Sequence, residues 1–266
     1  MTSGICRHRL ASRCLGLLAL ALAMPPLPAR AVELTPPQIS DGCRAPMSDI
    51  AALAPLPHLA AVLEGRRQVR VMAIGSSSTV GVGASAPDKA YPPQFESILE
   101  HSIPNLDVLV INRGVSGEVA AATAARLRAA VVEDRPDLVL WQVGTNDALQ
   151  NVPVESFTET LQTTVRWLKD RGIDVALVGL QYSPRTARDP RHGAIRGALR
   201  QVAAAERVLW IRRFEAMEFV ARHGEGNLIS PDGLHQNDLG YRCMAEYIAR
   251  AVMVSAFTDE LGATRN

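Results

Sequence analysis

The chain has 266 residues, of which 47% are hydrophobic and 21% charged, and these values predict a globular protein with a substantial core. Its formal net charge of +1 becomes −3 once residues 1–31, which carry four arginines and no acidic residue, are set aside. A slightly acidic balance argues against a surface built to bind polyanions such as nucleic acid. About 235 residues then remain, enough for one large domain.

The first 31 residues have the pattern of a cleaved export signal. Arg7 and Arg9 form a positive region, and Leu15–Met24 is an apolar run shorter than a membrane-spanning helix needs. Ala29–Ala31 then supplies the small-x-small pattern of a signal-peptidase site. We therefore expect a periplasmic or secreted protein without stable membrane insertion after cleavage, an uncleaved anchor being the alternative.

The rest of the chain alternates strand-like and helix-like segments after a proline-rich lead-in over residues 32–57 and a short helix at His58–Arg67. The predicted strands lie at Val69–Ile74, Val108–Asn112, Leu138–Val143, Val175–Leu180 and Val208–Ile211. The predicted helices lie at Tyr91–Ser102, Glu118–Asp134, Val154–Arg171, Ala194–Glu206, Phe214–Arg222 and Leu239–Phe257. This alternation predicts a three-layer α/β/α sandwich with a five-stranded parallel sheet over residues 68–258, followed by a tail over residues 259–266.

Small and polar residues follow the ends of the predicted strands, at the sheet edge where ligands usually bind in this architecture. The first strand ends at Gly75 and is followed by three serines and a threonine. Further polar blocks lie at Asn112–Glu118, Gly144–Asp147 and Asp232–His235. Taken alone, the first loop fits either a serine nucleophile or a backbone cradle for a phosphate group.

These four blocks, in this order, resemble the SGNH (GDSL-type) hydrolases over roughly Val69 to Tyr247. The resemblance implies a flavodoxin-like α/β/α fold, ester hydrolysis and no cofactor. It also implies that Ser77 is the nucleophile, because Gly75 and Gly81 frame the register of the family's first block. Ser76 stands where the family usually has aspartate.

The resemblance assigns the remaining roles to the later blocks. His235 matches the base and Asp232 the carboxylate that orients it. The backbone N–H groups of Ser77 and Gly114 and the side-chain amide of Asn146 match the oxyanion donors. This chemistry is consistent with the residue types, since a serine hydroxyl needs an adjacent base and a tetrahedral oxyanion needs preorganised donors.

Two other functions remain open from the sequence. A flavodoxin-like phosphate-binding or nucleotide-binding module explains the serine loop, but it gives no reason for the Asp232–His235 block, and 5% aromatic residues leave few rings to stack on a flavin. An acyltransferase acting on a glycan acceptor would use the same acyl-enzyme. For an esterase we expect a small-molecule or glycan ester with a short acyl group, such as O-acetyl, and no metal ion.

Four further polar residues have simpler interpretations. Asp147 is expected to be a loop or helix-capping residue. Gln142 and Gln181, near strand ends, are expected to make hydrogen bonds in the core or at the sheet edge. His192 has no partner nearby in sequence and is expected to be exposed.

Two cysteines remain after the predicted signal is removed, since Cys6 and Cys14 lie within it. The other two, Cys43 and Cys243, have no metal-ligand spacing. In an oxidising compartment they are expected to form either a disulfide bridge or two separate buried thiols.

Overall fold

The computed structural model describes residues 1, 36–65, 68–223 and 226–257. Apart from its first residue, the predicted signal segment lies outside the described residues, and so does the predicted tail over residues 259–266. Within the described part of the chain, no helix combines the length and the apolar character required to cross a membrane.

The central sheet has six strands rather than the five predicted. In chain order they are β1 (Ala51–Ala52), β2 (Gln68–Gly75), β3 (Asp107–Gly114), β4 (Leu138–Gln142), β5 (Asp174–Val178) and β6 (Leu209–Ile211). Their spatial order is β1-β6-β5-β4-β2-β3. All neighbours pair in parallel except β1, which pairs antiparallel with β6. The prediction missed β1 because two alanines in a proline-rich segment have no strand-like pattern of their own.

Helices cover both faces of the sheet, as an all-parallel core requires. They are α1 (Met47–Ile50), α2 (Pro57–Gly65), α3 (Ser77–Val80), α4 (Tyr91–Ser102), α5 (Ala120–Asp134), α6 (Thr145–Leu149), α7 (Val154–Lys169), α8 (Pro190–Glu206), α9 (Arg213–His223) and α10 (Asp238–Ala256). Side chains of β2 alternate between two hydrophobic clusters, with Val71 and Ala73 on the face of α10 and Met72 and Ile74 on the opposite face. The three-layer prediction is confirmed.

The segment after β5 differs from the prediction, which begins the next helix only at Ala194. Helix α8 begins at Pro190, four residues before the predicted start, because the Asp189 carboxylate accepts a hydrogen bond from the Arg191 N–H and proline is tolerated in the first turn. His192 therefore lies on a helix and is only 2% exposed, which contradicts the expectation of an exposed histidine. Its ring packs 5.5 Å from the ring of Phe214.

The lead-in is tied to the domain at both of its described ends. Cys43 and Cys243 are joined by a disulfide, with their Cα atoms 5.1 Å apart, and both are fully buried. The Tyr247 hydroxyl donates to the Cys43 carbonyl at 2.5 Å, and the Arg212 N–H donates to the Ile50 carbonyl at 2.8 Å. The lead-in thus covers the edge of β6, which would otherwise be open.

Candidate active site

Three adjacent serines follow β2, and the structure separates them by their surroundings. Ser76 and Ser78 are buried, at 6% and 1% exposure, whereas Ser77 is half-buried at the start of α3. The sharp turn requires glycine at position 75, since a Cβ there would lie 2.5 Å from the Gln142 carbonyl oxygen. Only Ser77 of the three directs its hydroxyl to a histidine.

Ser77, His235 and Asp232 form a continuous hydrogen-bonded chain. The Ser77 Oγ lies 2.9 Å from His235 Nε2, and His235 Nδ1 lies 2.5 Å from Asp232 Oδ2. Ser77 and His235 come from distant parts of the chain, since 158 positions of sequence separate them. Because the carboxylate accepts at Nδ1, the proton is assigned to that nitrogen and Nε2 is left to accept from the serine hydroxyl.

Asp232 is held in its charged form by its own loop. Its Oδ1 accepts from the Ser230 hydroxyl and from the N–H groups of Leu234 and His235, at 2.8 to 2.9 Å. Partial burial alone would raise the pKa of Asp232, but the hydrogen bonds from His235, Leu234 and Ser230 outweigh it and hold the pKa well below its usual range. The carboxylate therefore stays ionised and orients the imidazole at neutral pH.

The loop that carries the histidine packs directly against the loop that follows the serine. Gly83 has φ +95, and a Cβ there would collide with the carbonyl oxygen of Gln236 and approach His235 Cβ to 3.1 Å. The Tyr241 hydroxyl of α10 donates to the Val82 carbonyl at 2.6 Å. These contacts fix the distance between the serine and the histidine.

Asn146 lies beside the serine loop on α6, directly after β4. Its Nδ2 donates to the Glu118 carbonyl at 2.8 Å. The amide has two hydrogens, so this bond fixes the orientation of the group and leaves the second hydrogen for another acceptor. The Ser77 N–H, in the first turn of α3, has no hydrogen-bond acceptor among the described residues.

The geometry does not favour Gly114 as an oxyanion donor. Its N–H already donates to the Asn112 side-chain oxygen at 2.9 Å, and a Cβ at this position would lie 2.5 Å from the Val80 nitrogen. Gly117, three residues later, is exposed, has φ +84 and is held by a bond from Gln150 Nε2 to its carbonyl at 2.8 Å. Within the described chain, no acceptor lies within hydrogen-bond distance of the Gly117 N–H.

Ser76 stands where the SGNH hydrolases usually have aspartate, and here its partner is the neutral side chain of Gln142. Gln142, fully buried at the end of β4, accepts at Oε1 from the Ser76 N–H at 2.8 Å and from the Ser76 hydroxyl at 3.0 Å. The hydroxyl of Thr79 lies 3.4 Å from the same oxygen. Gln142 does make core hydrogen bonds, as expected, but its partners belong to the turn that presents Ser77.

Asp147 is buried at 1% exposure and caps a neighbouring helix, since its Oδ1 accepts from the N–H of Ala120 at the start of α5. Burial raises the pKa of Asp147. The side chain makes this capping bond, and the expectation of a capping residue is met.

A parallel α/β/α sheet with serine, asparagine and histidine loops at its carboxyl edge is the arrangement of the SGNH-type hydrolase fold. The model of the Non-GDSL lipase-like family matches residues 42–257, and the chain belongs to this family. The resemblance to SGNH (GDSL-type) hydrolases drawn from the sequence blocks is therefore confirmed.

Two curated relatives are each 30% identical to this chain over part of its length. An arylesterase of Vibrio mimicus aligns over 116 residues, which is 43% of this chain and 56% of the relative. Esterase TesA of Pseudomonas aeruginosa aligns over 130 residues, 48% of this chain and 62% of the relative. The chain thus spans less than two thirds of the length of either relative.

The fold is also similar to solved structures. A two-domain esterase active on acetylated mannans, crystallised with mannopentaose, superposes with a TM-score of 0.66 at 22% identity. The match covers 80% of this chain and 57% of that one.

Proposed function

We propose that this protein is a serine esterase that cleaves short-chain acyl esters through an acyl-enzyme on Ser77. The observation that carries the proposal is the chain of contacts from Ser77 Oγ to His235 Nε2, at 2.9 Å, and from His235 Nδ1 to Asp232, at 2.5 Å. A nucleophile, a base within hydrogen-bond reach and a third group that orients the base are the parts that acyl transfer requires.

In the first half of the reaction, Ser77 Oγ attacks the ester carbonyl carbon while His235 Nε2 takes the hydroxyl proton. The Asp232 carboxylate stabilises the imidazolium that forms and does not itself take the proton. Collapse of the tetrahedral intermediate breaks the bond to the leaving alkoxide, which receives the proton from His235. In the second half, His235 activates water in the same way, and the acid is released from Ser77.

The oxyanion is proposed to bind three hydrogen-bond donors at the edge of the sheet. These are the Ser77 N–H at the start of α3, the free hydrogen of the Asn146 amide, and the N–H of Gly117. We place the second of the backbone donors at Gly117 instead of Gly114, because the Gly114 N–H is already bonded to Asn112. Donors fixed before the reaction stabilise developing charge without reorganisation.

The substrate is proposed to be an aryl or alkyl ester with a short acyl group, O-acetyl groups on glycans included. The names of the relatives support ester substrates, and one structural neighbour acts on acetylated mannans. Val80, at the end of α3, and Val115, in the loop after β3, are each 44% exposed and give an apolar surface beside the site. Such a surface suits the apolar part of a small ester.

Export is proposed as well, on the sequence pattern of residues 1–31. The measurement is N-terminal sequencing of the protein recovered from the periplasm or medium of a bacterial host. A new N-terminus directly after Ala31 is expected; recovery of the intact chain from the membrane fraction would contradict it.

The catalytic proposal is tested with nitrophenyl esters of graded acyl length beside acetylated oligosaccharides. Ser77→Ala should lose hydrolysis and covalent labelling by a fluorophosphonate, whereas Ser76→Ala should retain the label. A label located on Ser76 or Ser78 by mass spectrometry would contradict the assignment. A product with the acyl group on a glycan acceptor in place of the free acid would replace hydrolysis with acyl transfer.

A further inference from the structure

Among the residues that the structure describes, one arginine is fully buried without a carboxylate partner. Arg213 begins α9 and has 0% exposure. All three of its hydrogen-bonded oxygen partners are neutral: its Nε donates to the Gly179 carbonyl at 2.9 Å, Nη2 to Gln181 Oε1 at 2.8 Å, and Nη1 to Gln236 Oε1 at 3.2 Å. Among the described residues, no acidic side chain forms an ion pair with it.

Such a group is a costly way to stabilise a fold. Burial lowers the pKa of Arg213 to about 10. The phenols of Tyr91 and Tyr241 are kept neutral, because burial raises their pKa values. Buried charges often contribute less to stability than well-packed apolar side chains of similar volume. A role other than stability is therefore worth seeking in what the guanidinium contacts.

Gln181 and Gln236 both contact or adjoin residues next to the proposed catalytic side chains. Gln181 Oε1 also accepts from the Thr145 hydroxyl at 3.0 Å, and Thr145 directly precedes Asn146. Gln181 Nε2 lies 3.4 Å from the Leu234 carbonyl, and Leu234 directly precedes His235.

Gln236 directly follows His235 and is itself fully buried. Its Nε2 donates to the Gly240 carbonyl at 3.0 Å, so both ends of its amide are held. The guanidinium thus bonds Gln181, which contacts the residue before His235, and Gln236, which directly follows His235. Bonds from a cation to an amide oxygen are shorter and stronger than bonds between neutral groups, and a planar fork fixes direction as well as distance.

We propose that Arg213 is a positioning residue that sets His235 and Asn146 relative to each other through Gln181 and Gln236. The inference rests on the proposed function, since it assigns a purpose to the spacing of the base and the oxyanion donor. It adds no chemical step: Arg213 contacts neither substrate nor the reacting atoms.

The test compares two substitutions of Arg213 with one of its neighbour. Arg213→Met keeps a long side chain suited to a buried site but removes every bond, and Arg213→Lys keeps the charge but offers one point donor. Arg212→Met is the matched control, because Arg212 bonds the Ser48 carbonyl and approaches Glu215, away from the site. We expect kcat to fall about 10-fold to 100-fold in Arg213→Met with little change in KM, to fall less in Arg213→Lys, and to stay unchanged in the control.

Active-site titration, the Gln181→Met variant and the double variant distinguish a structural role of Arg213 from a positioning role. Active sites are titrated with fluorophosphonate, so that kcat is expressed per competent site; an unchanged kcat per site in Arg213→Met would overturn the proposal. Gln181→Met should reproduce part of the loss and add little in the Arg213→Met background; full additivity would also overturn it. If neither Arg213 variant folds, Gln181→Met alone decides by the same kcat.

Failure of the inference is distinct from failure of the proposed function. An inactive Ser77→Ala protein with a fully active Arg213→Met protein refutes the positioning role alone. Retained hydrolysis in Ser77→Ala refutes the site itself, whatever the Arg213 variants do.

Discussion

Asn146 has one amide hydrogen bonded to the Glu118 carbonyl and a second that points to no partner recorded in the described chain. If that hydrogen binds the oxyanion, Asn146→Ala should lower kcat by about 10²-fold or more and leave KM nearly unchanged, because the bond forms mainly in the transition state. Steady-state kinetics with a nitrophenyl ester measures both constants. Leu149→Ala, on the exposed face of the same short helix, is the control. An unaltered kcat in folded Asn146→Ala would reduce Asn146 to a turn residue.

His192 makes the folding stability depend on pH in the acid range, which an exposed histidine would not do. Burial, followed by the charges of Arg196 and Arg213, lowers the pKa of His192 to about 4, against a smaller opposing influence of Asp189. In the unfolded chain the His192 imidazole takes up a proton near pH 6.5, whereas in the folded protein it stays neutral at that pH. The contribution to stability is therefore complete above pH 6.5 and is lost as pH falls toward 4, about 3 kcal/mol in all.

The corresponding experiment is thermal unfolding of wild-type protein and His192→Phe between neutral pH and pH 4.5. Phenylalanine cannot take up a proton and can pack against Phe214, so its Tm should fall less with acidification. His101→Phe, which alters an exposed histidine, should follow the wild-type curve. Parallel curves for all three proteins would show that His192 does not carry the acid sensitivity.

Some site residues could be read from the sequence and others could not, for a physical reason. Ser77, Asp232 and His235 were assigned through the resemblance of their short blocks to a family pattern, and the structure brings the three side chains into contact. Whether Gly114 or Gly117 can donate to the oxyanion depends on which N–H is already bonded within the protein. The sequence does not show this, because the bond from Gly114 to Asn112 is seen only in the structure. The burial of Arg213 likewise follows from packing between α9 and the histidine loop, and an arginine after a short strand looks like a surface residue.

At the scale of secondary-structure elements, helix α5 holds the loop after β3 in place through one side chain. Arg126 donates from Nε to the Glu118 carboxylate at 2.9 Å and from Nη2 to the Arg113 carbonyl at 2.7 Å, with the Gly75 carbonyl at 3.4 Å. The ends of β2 and β3 and the loop that bears Gly117 are thereby joined. Because Glu118 also accepts from Asn146, the arrangement of the proposed oxyanion donors depends on this arginine.

We therefore expect Arg126→Met to lower kcat about 10-fold, with a smaller change in KM, since displaced donors weaken binding of the transition state more than of the substrate. Arg128→Met, two residues further along α5, is the matched control: Arg128 is exposed and lies over the ring of Trp167. Equal kcat values for the two variants would show that the loop keeps its shape without Arg126.

Sequence patterns predicted the central strands better than they predicted the boundaries of helices and the edge strand. The strands of the parallel sheet were predictable because continuous apolar runs such as Leu138–Val143 leave few alternatives. The start of α8 was missed because arginines and prolines look like a loop until Asp189 is seen to cap Pro190–Glu206. Strand β1 exists only because β6 offers it an edge, so its pairing is a tertiary effect.

At the scale of the whole molecule, two separate hydrophobic clusters, one on each face of the sheet, leave the proposed catalytic residues at its carboxyl edge. The lead-in reinforces one face only. It packs on α10, where Ser40 donates to Glu246 and Arg250 donates to the Pro37 carbonyl. Helix α10 begins at Asp238, directly after the loop that carries Asp232 and His235. By packing on α10, the lead-in therefore stabilises the position of that loop.

The disulfide between Cys43 and Cys243 makes this support covalent, across 200 positions of sequence. In the chain-entropy model a loop of that length contributes about 5 kcal/mol at most, and measured values are often smaller. We expect Cys43→Ser/Cys243→Ser to lower Tm by several degrees while leaving kcat at room temperature close to wild type, because the lead-in touches none of the reacting groups. Ellman titration of the denatured, unreduced mature protein should find no free thiol. Two thiols per chain would show that the bridge does not form in the purified protein, and an unchanged Tm in the double variant would show that the packing of the lead-in on α10 suffices without it.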